Sequence, residues 1–308
     1  MKTRQIAFIF ILLSQALPGI AQNNLDIFNL SGRYGFPQSY EDTYSGTASE
    51  LGTFMNLTIP VPITENTIWY NSLNHFYFNV DGDPAIPEGE INPINLHGFI
   101  LRTGLYQKFG DGKGIQLLIA PRLMSDFKNV DGNSIQLGGV FMYENVFHKN
   151  LTMSFGAMYN QELFGPYVVP IVNLYWQLSD KWIIKGLFPV TLKVNYKASE
   201  NLTIGFSHFG LITSYYLGDP QYDGDYIERQ SIDPALFARL KLASNFYLEG
   251  KVGRTFGRGY TQYDCDQKVD FSLPLVGFGD DRIAKNTNFK DGFFIDVGIV
   301  YSINLEER

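Results

Sequence analysis

The four histidines are the first candidates for chemistry in this sequence, because a hydrolase needs a base close to its nucleophile. Only Ser207 and His208 place a hydroxyl next to an imidazole. Adjacent side chains of an extended strand point to opposite faces, so this pair lacks the geometry of a nucleophile and its base. His75, His97 and His148 have no partner in sequence. We therefore expect no catalytic residues and no enzyme activity.

Acidic loop segments are the candidates for a metal site. Residues 79–83 and 129–133 share an Asn-Val-Asp-Gly core, and Asp219, Asp223 and Asp225 form a third group. Carboxylate and carbonyl oxygens bind calcium, but none of these segments has the full spacing of a calcium-binding loop. Asp-Gly is also the usual composition of a tight turn. The sequence predicts turns here, with no metal and no cofactor.

Asp280, Asp281 and Arg282 follow two glycines near the C-terminus, in the phrase Gly-Phe-Gly-Asp-Asp-Arg. Two carboxylates beside an arginine suit a catalytic site or a structural ion pair. Structural ion pairs are the commoner arrangement. We therefore interpret these three residues as a structural latch that holds the last long loop.

The N-terminus has the features of a secretory signal peptide. Lys2 and Arg4 precede an apolar run from Ile6 to Leu13, and small residues lead to a cleavage site after Ala21. The run is shorter than the roughly 20 residues of a membrane-spanning helix. The sequence predicts a signal peptide over 1–21 and a single domain over 22–308.

Charge and cysteine content narrow the class of protein further. Beyond residue 21, 22 Lys and Arg side chains face 31 Asp and Glu side chains, which argues against a nucleic-acid partner. Cys265 is the only cysteine, so no disulfide within the chain stabilises it. The 25 Phe, 19 Tyr and 30 Gly residues favour strands and tight turns.

Alternation of apolar and polar residues is the strongest signal in the sequence. In residues 151–160 one face carries Leu, Met, Phe, Ala and Tyr, and the other is mostly small or polar. Segments 135–144, 190–196 and 293–303 repeat this period of two, which is typical of strands. Aromatic residues near the strand ends favour a membrane barrel over a secreted β-sandwich. These aromatic residues are Trp69, Tyr167, Trp176, Trp182, Tyr196 and Tyr301.

The periodic runs predict an all-β fold, a transmembrane antiparallel up-and-down β-barrel of about 14 strands, with 12 to 16 compatible. The predicted strands are 26–34, 51–60, 67–80, 95–109, 114–125, 134–147, 151–160, 167–177, 182–188, 190–197, 202–217, 226–242, 246–257 and 292–303. We interpret the strand-like segment 268–276 as an excursion of the last loop. Short turns alternate with longer loops near 81–94, 126–133, 161–166, 218–225 and 259–290, as in outer-membrane barrels.

Charged residues on the second face of these strands are expected to line the lumen. They are Arg102, Arg122, Lys185, Lys193, Arg239, Glu249, Lys251 and Asp296. Separated by glycines and water, they would form a channel for small polar solutes. Interlocked with Tyr, Phe and Met, they would form a salt-bridged plug. The pattern alone leaves both alternatives open.

Several phrases in order resemble a family of Gram-negative outer-membrane β-barrel proteins of unknown function. They are 120–127 (APRLMSDF), 159–165 (YNQELFG), 226–233 (YIERQSID), 277–282 (GFGDDR) and 289–294 (FKDGFF). The resemblance runs from about residue 45 to the C-terminus. It implies the fold and a location in the outer membrane of a Gram-negative bacterium. It brings no substrate, catalytic residue or cofactor.

Three function classes follow from this interpretation. The leading one is a non-enzymatic, porin-like barrel that admits or binds small polar solutes within outer-membrane lipid. A scaffold barrel that engages another envelope protein through its long loops is the alternative. A lipid-modifying enzyme is third, because no catalytic triad is evident.

Overall fold

A computed structural model describes residues 24–41, 44–82 and 90–304 of the chain. The predicted signal peptide over 1–21 lies outside these residues. Within them, no helix has the length and apolar character needed to cross a membrane.

The described residues form seventeen strands and two single-turn 3-10 helices in the loops. The strands are β1 (Asn24–Ser39), β2 (Thr47–Pro62), β3 (Thr67–Gly82), β4 (Ile94–Lys108), β5 (Lys113–Ser125), β6 (Ile135–His148), β7 (Leu151–Glu162), β8 (Gly165–Gln177), β9 (Trp182–Phe188), β10 (Thr191–Lys197), β11 (Leu202–Tyr216), β12 (Tyr226–Ala243), β13 (Phe246–Arg254), β14 (Phe256–Tyr263), β15 (Phe271–Leu273), β16 (Val276–Phe278) and β17 (Phe293–Asn304). The 3-10 helices are Gly132–Ser134 and Pro220–Tyr222.

Fourteen of these strands close into an antiparallel barrel. Each strand from β1 to β13 pairs with the next, β13 pairs with β17, and β17 pairs with β1. The predicted strand number is therefore confirmed. Strand β14 continues β13 beyond Thr255 and pairs with β12 alone. Strands β15 and β16 form a small hairpin in the last loop, where an excursion was predicted.

Every second side chain of a strand points outward, and in this barrel those outward side chains are mostly apolar. On β5 and β6, Leu117, Ile119, Ile135 and Leu137 are each about 60% exposed. Trp69, Trp176 and Trp182 are exposed near one end of the barrel, as membrane-interface aromatics are. Tyr167 was predicted to join them, but it is buried inside against the Phe164 ring.

The connections differ in length between the two ends of the barrel. The turn end carries the first residue of β1, the last residue of β17 and the connections 63–66, 109–112, 149–150, 178–181, 198–201 and 244–245. The loop end carries the longer connections, apart from 163–164 and 189–190. The prediction of a longer loop at 161–166 was wrong. Strands β7 and β8 stay paired up to Glu162 and Gly165, and Gly165 adopts a positive φ of 127° that suits a tight turn.

Candidate functional site

The interior of the barrel is the candidate site, and the β11–β12 hairpin dominates it. Strands β9 and β10 are each only seven residues long and are joined by a turn at Pro189. Strand β10 therefore pairs with β11 only as far as Phe209. On the other side of the β11–β12 hairpin, residues 226–232 of β12 pair with β14, whereas β12 pairs with β13 only from Ala235 onward. The last contact on the β10 side is the Gly210 amide, which donates to the Val190 carbonyl at 2.8 Å. Among the described residues, 211–216 have no partner in β10. We call residues 211–230 the infolded hairpin.

Exposure along one face of β11 shows that the infolded hairpin leaves the barrel wall. Ile204 and Phe206 are 40% and 39% exposed on the outer surface. Farther along the same face, Ile212 packs into an apolar cluster and Ser214 is completely buried. Strand β12 changes in the same way, from Leu236 at 70% exposed to Tyr226 at 1%. A face that begins on the outer surface of the barrel thus ends inside the lumen.

The tip of the infolded hairpin contacts the opposite wall of the barrel. Tyr216 pairs in parallel with Ser125 of β5, which lies six strands away around the wall. The Asp126 amide donates to the Tyr216 carbonyl at 3.0 Å, and the Gly218 amide donates to the Asp126 carboxylate at 2.9 Å. The hairpin therefore divides the loop-end half of the lumen into two compartments.

Apolar side chains pack against both sides of the infolded hairpin. Leu211, Tyr215 and Ile227 pack on one side of the hairpin with residues of β2 to β5, such as Phe78 and Met124. On the other side, a second cluster joins the hairpin to β5–β8 through Met142, Met158, Ile171, Ile212 and Tyr226. Near the middle of the barrel, the Phe209 ring lies 6.2 Å from Phe54 and 6.5 Å from Phe76. These contacts correspond to the plug-like alternative for the lumen.

A buried charge cluster crosses the first compartment. The Arg33 Nε atom lies 3.0 Å from Glu50, and Arg33 Nη1 donates to Asp233 at 2.7 Å. Arg229 stacks 3.8 Å above the Phe78 ring, and the Tyr260 hydroxyl donates to Glu50 at 2.6 Å. The cluster ties strands β1 to β3 to strands β12 and β14.

The sequence prediction did not include this charge cluster. Arg229, Ser231 and Asp233 stand at alternate positions of one predicted strand and so share a face. That spacing was the available signal. The partners Arg33 and Glu50 are identified only by strand register.

The second compartment contains the predicted lumen residue Arg122. Arg122 forms an ion pair with Glu162 and also donates to the Thr213 hydroxyl. Glu162 accepts hydrogen bonds from both the amide and the hydroxyl of Ser214 at 2.8 Å, and Gln136 donates to the Ser214 carbonyl at 2.9 Å. We call these five residues the tether, because they join strands β5, β6 and β7 to the infolded hairpin.

Most of the other predicted lumen residues meet near the turn end. Lys193 donates to both oxygens of Glu249, at 2.7 and 2.8 Å, and Arg239 also bonds Glu249 at 2.7 Å. Lys251 lies 3.2 Å from Asp296 and 3.6 Å from Glu249. We call this set the turn-end network.

Two predicted lumen residues, Lys185 and Arg102, belong neither to the tether nor to the turn-end network. Lys185 stands opposite Lys193 in the strand register and lines the turn-end cavity. Arg102 is half-buried on β4, and no carboxylate of the described residues lies within ion-pair distance of it.

A cavity lies on each side of the packed middle of the barrel. A cleft of about 930 Å³ opens at the loop end, and its lining includes Gln136, Glu162, Asp219, Asp223 and Lys268. A smaller cavity of about 300 Å³ lies at the turn end beside Arg239. The tether and the charge cluster lie between these spaces.

The predicted latch is centred on Arg282. Its guanidinium donates to Asp280 through two bonds of 2.9 Å and to Glu228 of β12 at 2.7 Å. The hydrogen bonds from Arg282 hold the pKa of the Asp280 carboxyl below its usual range. Asp281 is exposed and has no polar contact with the other described residues. The prediction that Asp281 takes part in the latch was wrong, because the second carboxylate that binds Arg282 is that of Glu228.

The histidines and acidic loops have other roles in the structure. His208 Nε2 lies 2.7 Å from the Pro189 carbonyl, whereas Ser207 faces the Ala235 carbonyl at 3.5 Å. His75 and His97 lie 3.5 Å apart on the outer surface. Among residues 24–41, 44–82 and 90–304, no three His, Cys, Asp or Glu side chains are grouped to hold a metal ion. The Asp131 and Asp219 carboxylates cap backbone amides of the 3-10 helices.

Comparison with known proteins identifies a family. Residues 38–302 match the model of a family described as a domain of unknown function, DUF6268. No curated protein matches the sequence.

Three solved structures are similar in outline. The COG4313 outer membrane channel from Pseudomonas putida F1 is 8% identical, with 94% of this chain and 100% of that one covered and a TM-score of 0.45. The NanC porin is 11% identical, with 88% and 98% covered and a TM-score of 0.36. The translocator domain of the autotransporter NalP from Neisseria meningitidis is 10% identical, with 98% and 94% covered and a TM-score of 0.35. The barrel is assigned from the strand pairing of this chain itself.

Proposed function

We propose that this chain, which belongs to the DUF6268 family of domains of unknown function, is a gated outer-membrane barrel for small polar solutes. The observation that carries the proposal is the infolded hairpin. In this proposal the strand pair that leaves the wall and docks across the lumen is the movable element of the gate. In its docked position it separates the loop-end cleft from the turn-end cavity.

The outward apolar surface and exposed aromatic residues support placement in a lipid bilayer. In outer-membrane barrels the short turns face the periplasm and the longer loops face the exterior. By this rule the 930 Å³ cleft faces the outside and the 300 Å³ cavity faces the periplasm. A solute would enter the cleft and pass inward when the hairpin undocks.

The chemistry of the tether supports a reversible contact. Apolar side chains such as Ile212 and Ile227 favour the docked position. Against them, Arg122 Nε, Gln136 Oε1 and the Tyr215 hydroxyl are buried without a hydrogen-bond partner among the described residues. Each such group costs about 1–3 kcal/mol, and water entering an undocked lumen would remove that cost. The balance predicts a barrel that is closed most of the time and opens transiently.

The variant Glu162→Gln tests this proposal in planar bilayers. Removing the carboxylate leaves the Arg122 guanidinium buried without its counter-charge in the docked state, whereas water solvates that guanidinium in the undocked lumen. We expect openings on the order of tenfold more frequent than in the wild type, equivalent to about 1.4 kcal/mol. The control Glu65→Gln removes an exposed carboxylate in the 63–66 turn, outside the lining of both cavities. A folded tether variant that conducts no more than this control would contradict the gate.

A further inference from the structure

We infer that the turn-end cavity is a binding site for small multivalent anions, such as tricarboxylates or phosphate. The cavity of about 300 Å³ is lined by five cations, Lys181, Lys185, Lys197, Arg239 and Lys241, and by two acids, Asp180 and Glu200. Asp26 and Glu249 compensate Arg239 from outside the lining, and the four lysines still outnumber Asp180 and Glu200 in a chain with a formal net charge of −7. A concave site with one sign of charge concentrates counter-ions.

Strand register explains why the cations converge. Three adjoining turns contribute to the rim, because the Lys197 amide donates to the Lys181 carbonyl and the Lys241 amide donates to the Asn201 carbonyl. Deeper in the cavity, Thr203 stands opposite both Lys197 and Arg239. The short side chain at this position leaves room for the long cationic ones.

The cations differ in how far they are already neutralised. Lys197 pairs with Glu200 at 2.9 Å, and Arg239 is shared between Asp26 and Glu249. Lys181 and Lys241 are exposed, and no carboxylate of the described residues lies within ion-pair distance of either. Two free ammonium groups beside amide and hydroxyl groups, from Asn245 and Ser199 among others, suit a ligand with several anionic oxygens.

Isothermal titration of the full chain in detergent, with citrate and separately with inorganic phosphate, tests the site at low ionic strength. We expect saturable binding with one citrate per barrel, weakening as salt screens the charges. Lys181→Gln/Lys241→Gln should lower the affinity about fivefold per lysine, the Coulomb attraction of one charge at about 4 Å in water. The control Lys113→Gln/Lys149→Gln removes two exposed lysines at the same end but outside the cavity, and should change the affinity less than twofold.

Absence of citrate binding, or an equal loss in the control, would overturn the inference. Nanodiscs separate a soluble anion from a lipid phosphate. Equal citrate affinity in phosphatidylcholine and phosphatidylglycerol supports the soluble anion, whereas loss in phosphatidylglycerol assigns the site to lipid headgroups and overturns it. The cavity is open while the hairpin is docked, so this result is independent of the gate.

Discussion

Arg282 attaches the last long loop to the barrel through two carboxylates, Asp280 in the loop and Glu228 on β12. Asp280→Asn should lower the midpoint of thermal unfolding by about 2 °C, because the carboxylate is partly exposed and such pairs contribute little. Arg282→Gln should lower it by about 5 °C, since Glu228 is then left mostly buried and unpaired. Thermal unfolding monitored by circular dichroism measures both shifts.

Asp281→Asn is the matched control for the latch, since Asp281 is exposed and makes no polar contact with other described residues. It should leave the midpoint unchanged. An equal loss of stability in the Asp281 and Asp280 variants would contradict the latch described here.

Lowering the pH should weaken the stabilisation that the Asp280–Arg282 ion pair provides. The pKa of Asp280 is held below its usual range by Arg282, so the stabilisation is complete above the unfolded pKa of about 3.9. It is lost as the pH falls through the lower folded value. The deficit of Asp280→Asn relative to the wild type should therefore be constant from pH 7 to about 5 and shrink below about pH 4. A deficit that persists unchanged at pH 2 would exclude the ion pair as its cause.

Residue type and alternation predicted which charges lie on the inner face, but not their partners. Lys193, Glu249 and Lys251 were predicted to share a lumen, and they lie in one network. The partner of Arg122 is Glu162, 40 residues away in sequence and at the end of a strand. Only the register of β5 to β7 and the docking of β11 bring the two together, and neither follows from local periodicity.

The infolded hairpin is the element on which the proposed function depends, and its path can be followed in lipid. Spin labels at Ile204, Phe206 and Ile212 lie on one face of β11, in a Cys265→Ser background. Oxygen accessibility by electron paramagnetic resonance should be high at the first two positions, which face outward, and low at Ile212. High accessibility at all three would place the hairpin in the wall.

The sequence predicted the strands of this element but not its position. The predicted strands 202–217 and 226–242 each differ from β11 and β12 by one residue at the C-terminal end. Alternation in sequence is the same whether a face meets lipid or the far side of a divided lumen, because both surroundings are apolar. The departure from the wall depends on the shortness of β9 and β10 and on the tether.

The whole barrel should respond to charge according to depth in the membrane. Leu236 is 70% exposed on β12 and Leu275 is 77% exposed in the loop hairpin. Leu236→Arg should lower the free energy of unfolding in lipid vesicles by about 2–4 kcal/mol if it lies near the bilayer midplane. Leu275→Arg, on an equally exposed leucine outside the wall, should change it by less than about 0.5 kcal/mol. Equal effects in urea titrations would contradict the placement of β12 in the bilayer and of the loop hairpin outside it.

Conductance under redox control tests the gate most directly. Ser125 and Tyr216 pair across the lumen, so the variant Ser125→Cys/Tyr216→Cys in a Cys265→Ser background places two thiols where paired strands allow a disulfide. In planar bilayers the reduced protein should show transient openings. Oxidation should abolish them and reduction should restore them. Conductance that is identical in the oxidised and reduced states would show that solutes pass without movement of the hairpin, and would contradict the account.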